Sequence, residues 1–460
     1  MTEKHEKKKV KYKKLPTFVA DGCIYESVVF DDMPMFLKWD GKNFLLHNQP
    51  IVLNSGYEII PLEKIDYPYL PYVVTEKQIQ NPKRIGFDEL LHDVYIQFST
   101  YLDLEQRYKL LSSLKSFETY HQHKMHSLSY LYYFGDHDSG KTQACDTHKA
   151  IDYRPLFGIS ISDANIYRYI GREQEGHCTI IEDEAQVINL RKHDRKLQIY
   201  RAGYKKGATV PIVHDYTRKQ QFFNTYCSKI FAGSYIINDA AFRQRVVPIP
   251  MVYGDPKKDE IDIGNETFTD LRLRLLLHRM IHYFDPLPQF NVELKGRTKE
   301  LWKGIIETMN LTERYKKLIG VVEKMAKKYE EDKIKRRRET LPAYLTEVLT
   351  GNYIHLCGYE VPFSMIWAGL MKRLGITEWE EGKKVKSELL GRGISPHEVG
   401  LKMTSIFNAE RNLRTDIGRT YKFEAEVLRR LCKKFQLVNV LNDLNDFLSS
   451  KNKQLKDFNT

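Results

Sequence analysis

Aromatic and branched residues alternate with polar ones over residues 23–75, which predicts a β-rich region. Within it, Met35 to Leu46 carries Asp40-Gly41 between two apolar runs. That dipeptide supplies the positive φ of a tight turn and predicts a hairpin. From Phe87 to about Lys124 the period changes. Leu90, Leu91, Val94, Tyr95, Phe98, Tyr101 and Leu102 recur at helical spacing, and a second helical run covers 105–124. Over residues 128–255 short β-branched runs alternate with helical segments, the pattern of a parallel sheet covered by helices. Residues 265–348 read as helical, with apolar stretches at Leu271, Leu273 and Leu275–Leu277 and at Leu301, Trp302, Ile305, Ile306 and Met309. The charges from Glu313 to Glu339, ending in Lys333 to Arg338, mark a solvated helix face. The last hundred residues predict a compact unit of short helices with a small β segment.

Composition narrows the class. A chain of 460 residues, 42% hydrophobic and 29% charged, has room for two to four domains, and its 26 glycines and 17 prolines are too few for a fibrous chain. No apolar run is long enough to cross a bilayer and no secretory signal is recognisable, so the expectation is a cytoplasmic protein without a membrane partner. The six cysteines stand singly, without metal-ligand spacing, and read as reduced; Cys178 and Cys227 sit in apolar runs. The formal charge is +12, of which seven lysines and two glutamates in the first fourteen residues account for +5. Such an excess points to an acidic polymer as partner. The resulting segmentation is a basic disordered tail (1–16), an α+β accessory or assembly domain (17–124), a parallel α/β core (125–258), a helical lid and charged connector (259–348), a compact C-terminal domain (349–440) and a tail (441–460).

The chemistry starts at residue 135. The buried strand predicted at Leu128 to Phe134 runs into Gly135-Asp136-His137-Asp138-Ser139-Gly140-Lys141-Thr142, and Gln143 continues into a helix. This is a complete G-x-x-x-x-G-K-T phosphate loop. Its glycines let successive N–H groups face phosphate oxygens, and the helix N-terminus adds its positive end. Lys141 would reach the β- and γ-phosphates of ATP, and the Thr142 hydroxyl would bind Mg²⁺. A chain of this length meets the pattern by accident about one or two times in a hundred.

Forty-two residues after Lys141, the apolar run His177 to Ile181 ends in Glu182-Asp183-Glu184. Asp183 fits the metal and Glu184 the base that polarises water; Glu182 stands where an apolar residue is expected, and Glu182 with Asp183 is the alternative pair. Two β-like runs then flank a basic, aromatic turn, with Lys205, Lys206, His214, Tyr216, Arg218 and Lys219 as candidate contacts to single-stranded nucleic acid. An ordinary solvated hairpin tip fits the same residues. Ser234 closes the next apolar strand, where it could sense the γ-phosphate. Arg243 and Arg245 precede another strand, where an arginine at a subunit edge can reach a neighbour's ATP or simply make a surface ion pair.

The ordered series of phosphate loop, acidic strand end, polar strand end and paired arginines resembles the AAA+ ATPases. More narrowly it resembles the helicase-like replication ATPases of plasmids, viruses and integrated elements, archaeal plasmid proteins among them. The similar stretches are Arg201 to Ala208, Lys229 to Gly233, Asp239 with Arg245, and Gly296 to Trp302. The last resembles the opening of that group's lid helix, which makes Arg297 a candidate second sensor of the γ-phosphate. The likeness covers about 125–310; Glu182 departs from it, and so does Ser234, where many relatives carry Asn and Asn238 is a rival. Residues 355–440 resemble a winged helix: helices at Phe363 to Met371 and Trp379 to Leu390, a wing strand at Gly418 to Phe423, and a closing helix at Glu424 to Phe435. Its basic residues would be Lys383, Lys384, Lys386, Arg392, Arg411, Arg414 and Arg419.

The expectation is therefore a multidomain α/β protein, a hexameric ATP-hydrolysing DNA motor. The alternatives are an ATP-controlled initiator that binds duplex DNA without unwinding it, and a packaging motor.

Overall fold

The computed structural model describes residues 11–52, 57–63, 72–80, 86–171, 175–185, 194–213, 219–234, 237, 239–288, 293–357, 360–380, 382–414 and 418–457. The chain forms two compact units, Met1–Ala326 and Lys327–Thr460.

The first unit opens with β structure. Strands Thr17–Ala20, Cys23–Phe30, Met33–Trp39 and Phe44–His47 form an antiparallel sheet in chain order. Gly41 adopts φ 93° in the last turn, and the Asp40 carboxylate accepts from the N–H groups of Lys42 and Asn43. The hairpin signal is thus realised, with Trp39 opposite Phe44. Lys11–Lys14, expected in a disordered tail, instead form a strand parallel to Tyr57–Ile60; pairing with a neighbouring strand outweighs the local charge. Helices Phe87–Tyr101 and Gln106–His121 follow, the first burying Leu90, Leu91, Val94, Phe98 and Tyr101.

The centre of the unit is a five-stranded, all-parallel sheet. Its strands are β1 (Tyr130–Phe134), β2 (Pro155–Ile159), β3 (Thr179–Asp183), β4 (Ser228–Gly233) and β5 (Val246–Pro250). They lie side by side in the order β5-β1-β4-β3-β2. A parallel sheet is covered on both faces, so its inner strands are apolar throughout rather than alternating. Residues 130–133 of β1 and all of β4 are buried accordingly. Cys178 and Cys227, just ahead of β3 and β4, are fully buried. β5 is an edge strand and carries Pro248 and Pro250.

A buried ionic cluster joins the antiparallel sheet to this core. Glu26 accepts from Arg154 (2.6 Å), Arg279 (3.0 Å) and the Tyr153 hydroxyl (2.9 Å), and all four side chains are buried. Burial alone would raise the Glu26 pKa, but the two guanidinium groups hold it below the ordinary carboxylate value.

In the second unit, Val361–Pro362, Gly418–Lys422 and Glu410–Arg414 form a three-stranded antiparallel sheet in that spatial order. Helices Leu341–His355, Phe363–Arg373, Pro396–Ser405, Ala425–Phe435 and Val438–Asp457 accompany it. Leu345, Leu349, Ile366, Leu370, Met403 and Leu428 are among the residues of their common core. The helix expected over Trp379 to Leu390 is absent. Among the described residues that stretch is irregular, then enters the short hairpin Val385–Ser387 with Arg392–Ile394. Gly382 and Gly391 take φ of 80° and 61° around it, which a continuing helix cannot accommodate. The next helix after Phe363–Arg373 is Pro396–Ser405, started by Ser395, whose side chain accepts from Glu398 N–H.

Candidate functional site

β1 delivers Gly135 to the C-terminal edge of the sheet, and the helix Lys141–Ile151 leaves from the same loop. A side chain at Gly135 would collide with the Met251 carbonyl, so only glycine permits the loop to leave the strand here. Gly140 sits at φ 82° as the helix starts, and Asp138 is also left-handed at φ 58°. Ser139 donates to the Asp136 carbonyl at 2.7 Å, and the Lys141 ammonium folds back onto that carbonyl and the Ser139 hydroxyl (3.2 Å). Asp136, His137, Asp138, Gly140 and Thr142 are exposed, and Gln143 donates to the Asp259 carbonyl. A loop whose lysine binds its own backbone, in a cradle that a Cβ would fill, has the donors a phosphate chain requires. Beside it lies a cleft of about 250 Å³ lined by Tyr101, Leu102, Asp103, Gly140, Met251 and Val252 among others.

β3 ends against the helix that leaves the loop. Asp183 is buried, and its carboxylate accepts from the Glu184 N–H at 2.9 Å. Glu184 is exposed and left-handed (φ 47°), a costly conformation for a non-glycine residue and one that clusters at functional sites. Glu182 has a separate occupation: it is wholly buried, ion-paired to Lys196 and bonded by the Tyr200 hydroxyl. Its partners explain an acid where an apolar residue was expected. Asp146, one turn beyond Thr142, was not singled out in the sequence. Its pKa is raised, first by burial and also by the Asp183 charge, which puts the two carboxylates in one neighbourhood. The signal that could have found it is the i, i+4 spacing from Thr142 on the loop helix.

Ser234 follows β4, whose last residue, Gly233, pairs with Phe134 immediately before the loop. Ser234 is thus brought to the loop edge. Asn238 lies outside the described residues.

No group of three His, Cys, Asp or Glu side chains among the described residues is placed to hold a metal ion. Mg²⁺ does not need such a cage, because it keeps several waters and takes one or two carboxylates with substrate phosphates. Thr142 and Asp183 fit that demand.

The arginines are elsewhere. Tyr130 N–H donates to the Arg245 carbonyl, so Arg245 lies at the start of β1 and β5, at the opposite end of the sheet from the loop. At about 3.3 Å per residue, the five residues from Tyr130 to Gly135 separate them by roughly 16 Å. Arg297, in the first turn of helix Gly296–Met309, packs on the Tyr204 ring with Arg245. It is not brought to the loop of its own chain. Arg243 ends the short helix Ala240–Arg243, which Asp239 caps while also pairing with Arg201.

Thr209–Val213 and Gln220–Asn224 form the expected antiparallel hairpin. His214, Tyr216 and Arg218 lie outside the described residues. Lys205 and Lys206 stand at the base, where Lys206 donates to the His123 carbonyl at 3.0 Å. Lys219 is exposed, as are Val213 and Phe222.

The sequence matches no protein-family model and no curated protein. Among solved structures, the A-form apo structure of the C-terminal region of NrS-1 (305–718) is 11% identical and aligns over 87% of this chain and 96% of that one, with a TM-score of 0.35. A second apo structure of the same region gives 10% identity and the same coverage and TM-score. That score is too low to establish a shared fold. Among the described residues, no helix is long and apolar enough to cross a membrane.

Proposed function

We propose that this chain is an ATP-hydrolysing DNA motor of the AAA+ type, working as a ring of six. The observation that carries the proposal is the phosphate loop between β1 and its helix, in a sheet ordered β5-β1-β4-β3-β2, with Asp183 and Glu184 at the end of β3. Ligands of open α/β sheets bind beyond the carboxyl ends of the strands, where these groups lie. The loop N–H groups and Lys141 would hold the triphosphate, and the nucleoside would occupy the neighbouring cleft. Mg²⁺ at Thr142 and Asp183 would neutralise charge on the phosphates. Glu184 would orient and deprotonate the attacking water, Ser234 would contact the terminal phosphate, and Arg245 would act on a neighbouring subunit's nucleotide.

The arrangement in the second unit of sheet, helix Pro396–Ser405 and hairpin Glu410–Lys422 supports a winged-helix assignment. Duplex DNA binding through that unit, if measured without unwinding, would favour the alternative of an initiator. Replacing Lys141 with Ala should abolish ATP turnover; turnover at the wild-type rate would sink the site assignment. Strand displacement on a forked substrate separates motor from initiator.

A further inference from the structure

At the end of the central sheet away from the phosphate loop, a lysine is buried beside two cysteines. Lys229, the second residue of β4, is 0% exposed. Its ammonium donates to the carbonyls of Thr225 (3.0 Å) and Cys227 (3.1 Å) and lies 4.9 Å from the centre of the Tyr130 ring. It also stands 3.4 Å from the Cys227 sulfur. Burial holds the Lys229 pKa below its ordinary value, and the largest favourable charge interactions come from Cys227 and Cys178 rather than from a carboxylate. A buried ammonium is costly without an anion, and the group placed to supply one here is a thiolate.

The second cysteine is held alongside. Thr179 of β3 pairs with Ser228 of β4, and Cys178 and Cys227 immediately precede them. The Gly176 N–H donates to the Tyr226 carbonyl, so the two segments stay side by side through the cysteines. Gln122 clamps the same place, donating to the Cys178 carbonyl (2.9 Å) and accepting from the Ser228 N–H (2.7 Å). Neighbouring strands lie about 4.8 Å apart, within the span of Cα separations that a disulfide takes. The Cys178 thiol donates to the Cys227 sulfur. Burial works against a Cys227 thiolate, but that hydrogen bond and the Lys229 charge bring its pKa down to about 7. Burial pushes the Cys178 thiol up, so it keeps its proton. The other titratable groups facing Cys227 are Lys115, on helix Gln106–His121, and Tyr130, Tyr200 and Tyr226.

We propose that Cys227 and Cys178 form a redox-active dithiol, with Lys229 as counter-ion to Cys227, that hydrogen peroxide converts to a disulfide. The Cys227 thiolate attacks the O–O bond, giving a sulfenic acid and hydroxide, which takes a proton from water or Lys229. The Cys178 sulfur then attacks the sulfenic sulfur, and the hydroxyl leaves with the Cys178 proton as water. The two sulfurs lose two electrons and the peroxide gains them. Both sulfurs are 0% exposed, so the reaction follows local opening of the two strand starts. The inference is independent of the nucleotide site.

The test uses the full-length chain with Cys357→Ser, which removes the exposed cysteine and leaves five buried ones. The folded protein is treated with hydrogen peroxide, unfolded in the presence of an alkylating agent and weighed by mass spectrometry. Alkylated thiols should fall from five to three and return to five after dithiothreitol, with Cys178 and Cys227 in one cross-linked peptide pair. Adding Cys178→Ser should stop the reaction at a sulfenic acid on Cys227 that dimedone traps. Adding Lys229→Met, compared once its melting matches the parent, should slow disulfide formation at least about tenfold, because the thiolate loses its counter-charge. The pH profile of the parent decides the same point should that variant not fold. Its rate should level off above about pH 7, where an ordinary thiol keeps gaining to about 8.5. Five thiols surviving peroxide, a cross-link through any other cysteine, an unchanged rate in folded Lys229→Met, or a rate still climbing to pH 8.5 would each overturn the proposal.

Discussion

Two tyrosines in the first unit each carry a pair of arginines, and the pairs have opposite endings. On Tyr153, Arg279 and Arg154 stand 4.4 and 5.4 Å from the ring centre, and both point their charge into Glu26. On Tyr204, Arg297 stands 3.5 Å from the Glu300 carboxylate and Arg245 donates to the Ala241 carbonyl, and one nitrogen of each guanidinium is buried without a partner. The same residue types thus make a fully satisfied buried cluster in one place and a partly satisfied one in the other. What separates them is how fully the chain's own acceptors satisfy the guanidinium groups.

Breaking each pair should give opposite results. Arg245→Leu should lower ATP turnover by about a thousandfold, the scale of a transition-state arginine, while removing a repulsion and leaving the melting temperature nearly unchanged. A collapse of the fold would erase the contrast. Glu26→Gln should behave in reverse, costing about 3–5 kcal/mol of stability in denaturant unfolding because two buried guanidinium groups lose their counter-charge. Its pH profile sharpens the point. A carboxylate held below its ordinary pKa stabilises the fold above the unfolded value of about 4.3, and that contribution fades as pH falls through the lower folded value. The Glu26→Gln variant should lack this part of the acid slope. The smallest effect is expected at Glu182, whose carboxylate is committed to Lys196 and Tyr200. Glu182→Gln should keep turnover within about threefold of wild type and lose about 1–2 kcal/mol of stability; a turnover loss approaching that of Glu184→Gln would mean that Glu182 is the working acid.

What the sequence disclosed follows the range of the interactions. The loop from Gly135 to Thr142 was legible because its glycines, its lysine and the strand before it are contiguous. The turn at Asp40-Gly41 was legible for the same reason. Glu182 looked anomalous because its partners come from the helix Arg195–Ala202, which packs back onto β3 only in the folded chain. Arg297 was read from a local likeness that says nothing about the end of the sheet its helix start approaches. Trp379 to Leu390 failed as a helix because Gly382 within it and Gly391 just after it take left-handed conformations. Lys11–Lys14 failed as a tail because a strand can be recruited by its neighbour despite a row of lysines.

The two prolines of β5 have a mechanical consequence. Pro248 pairs with Tyr132 and Pro250 with Phe134, and residues two apart along a strand direct their backbone nitrogens the same way. Lacking N–H groups at both positions, the open side of this strand is a poor template for annealing another chain. In the proposed ring, subunits meeting along this edge would grip through side chains, which can let go and re-form, instead of fusing into one continuous sheet. If the chain is the motor proposed above, two missing hydrogens would keep joints along this edge separable on every turn.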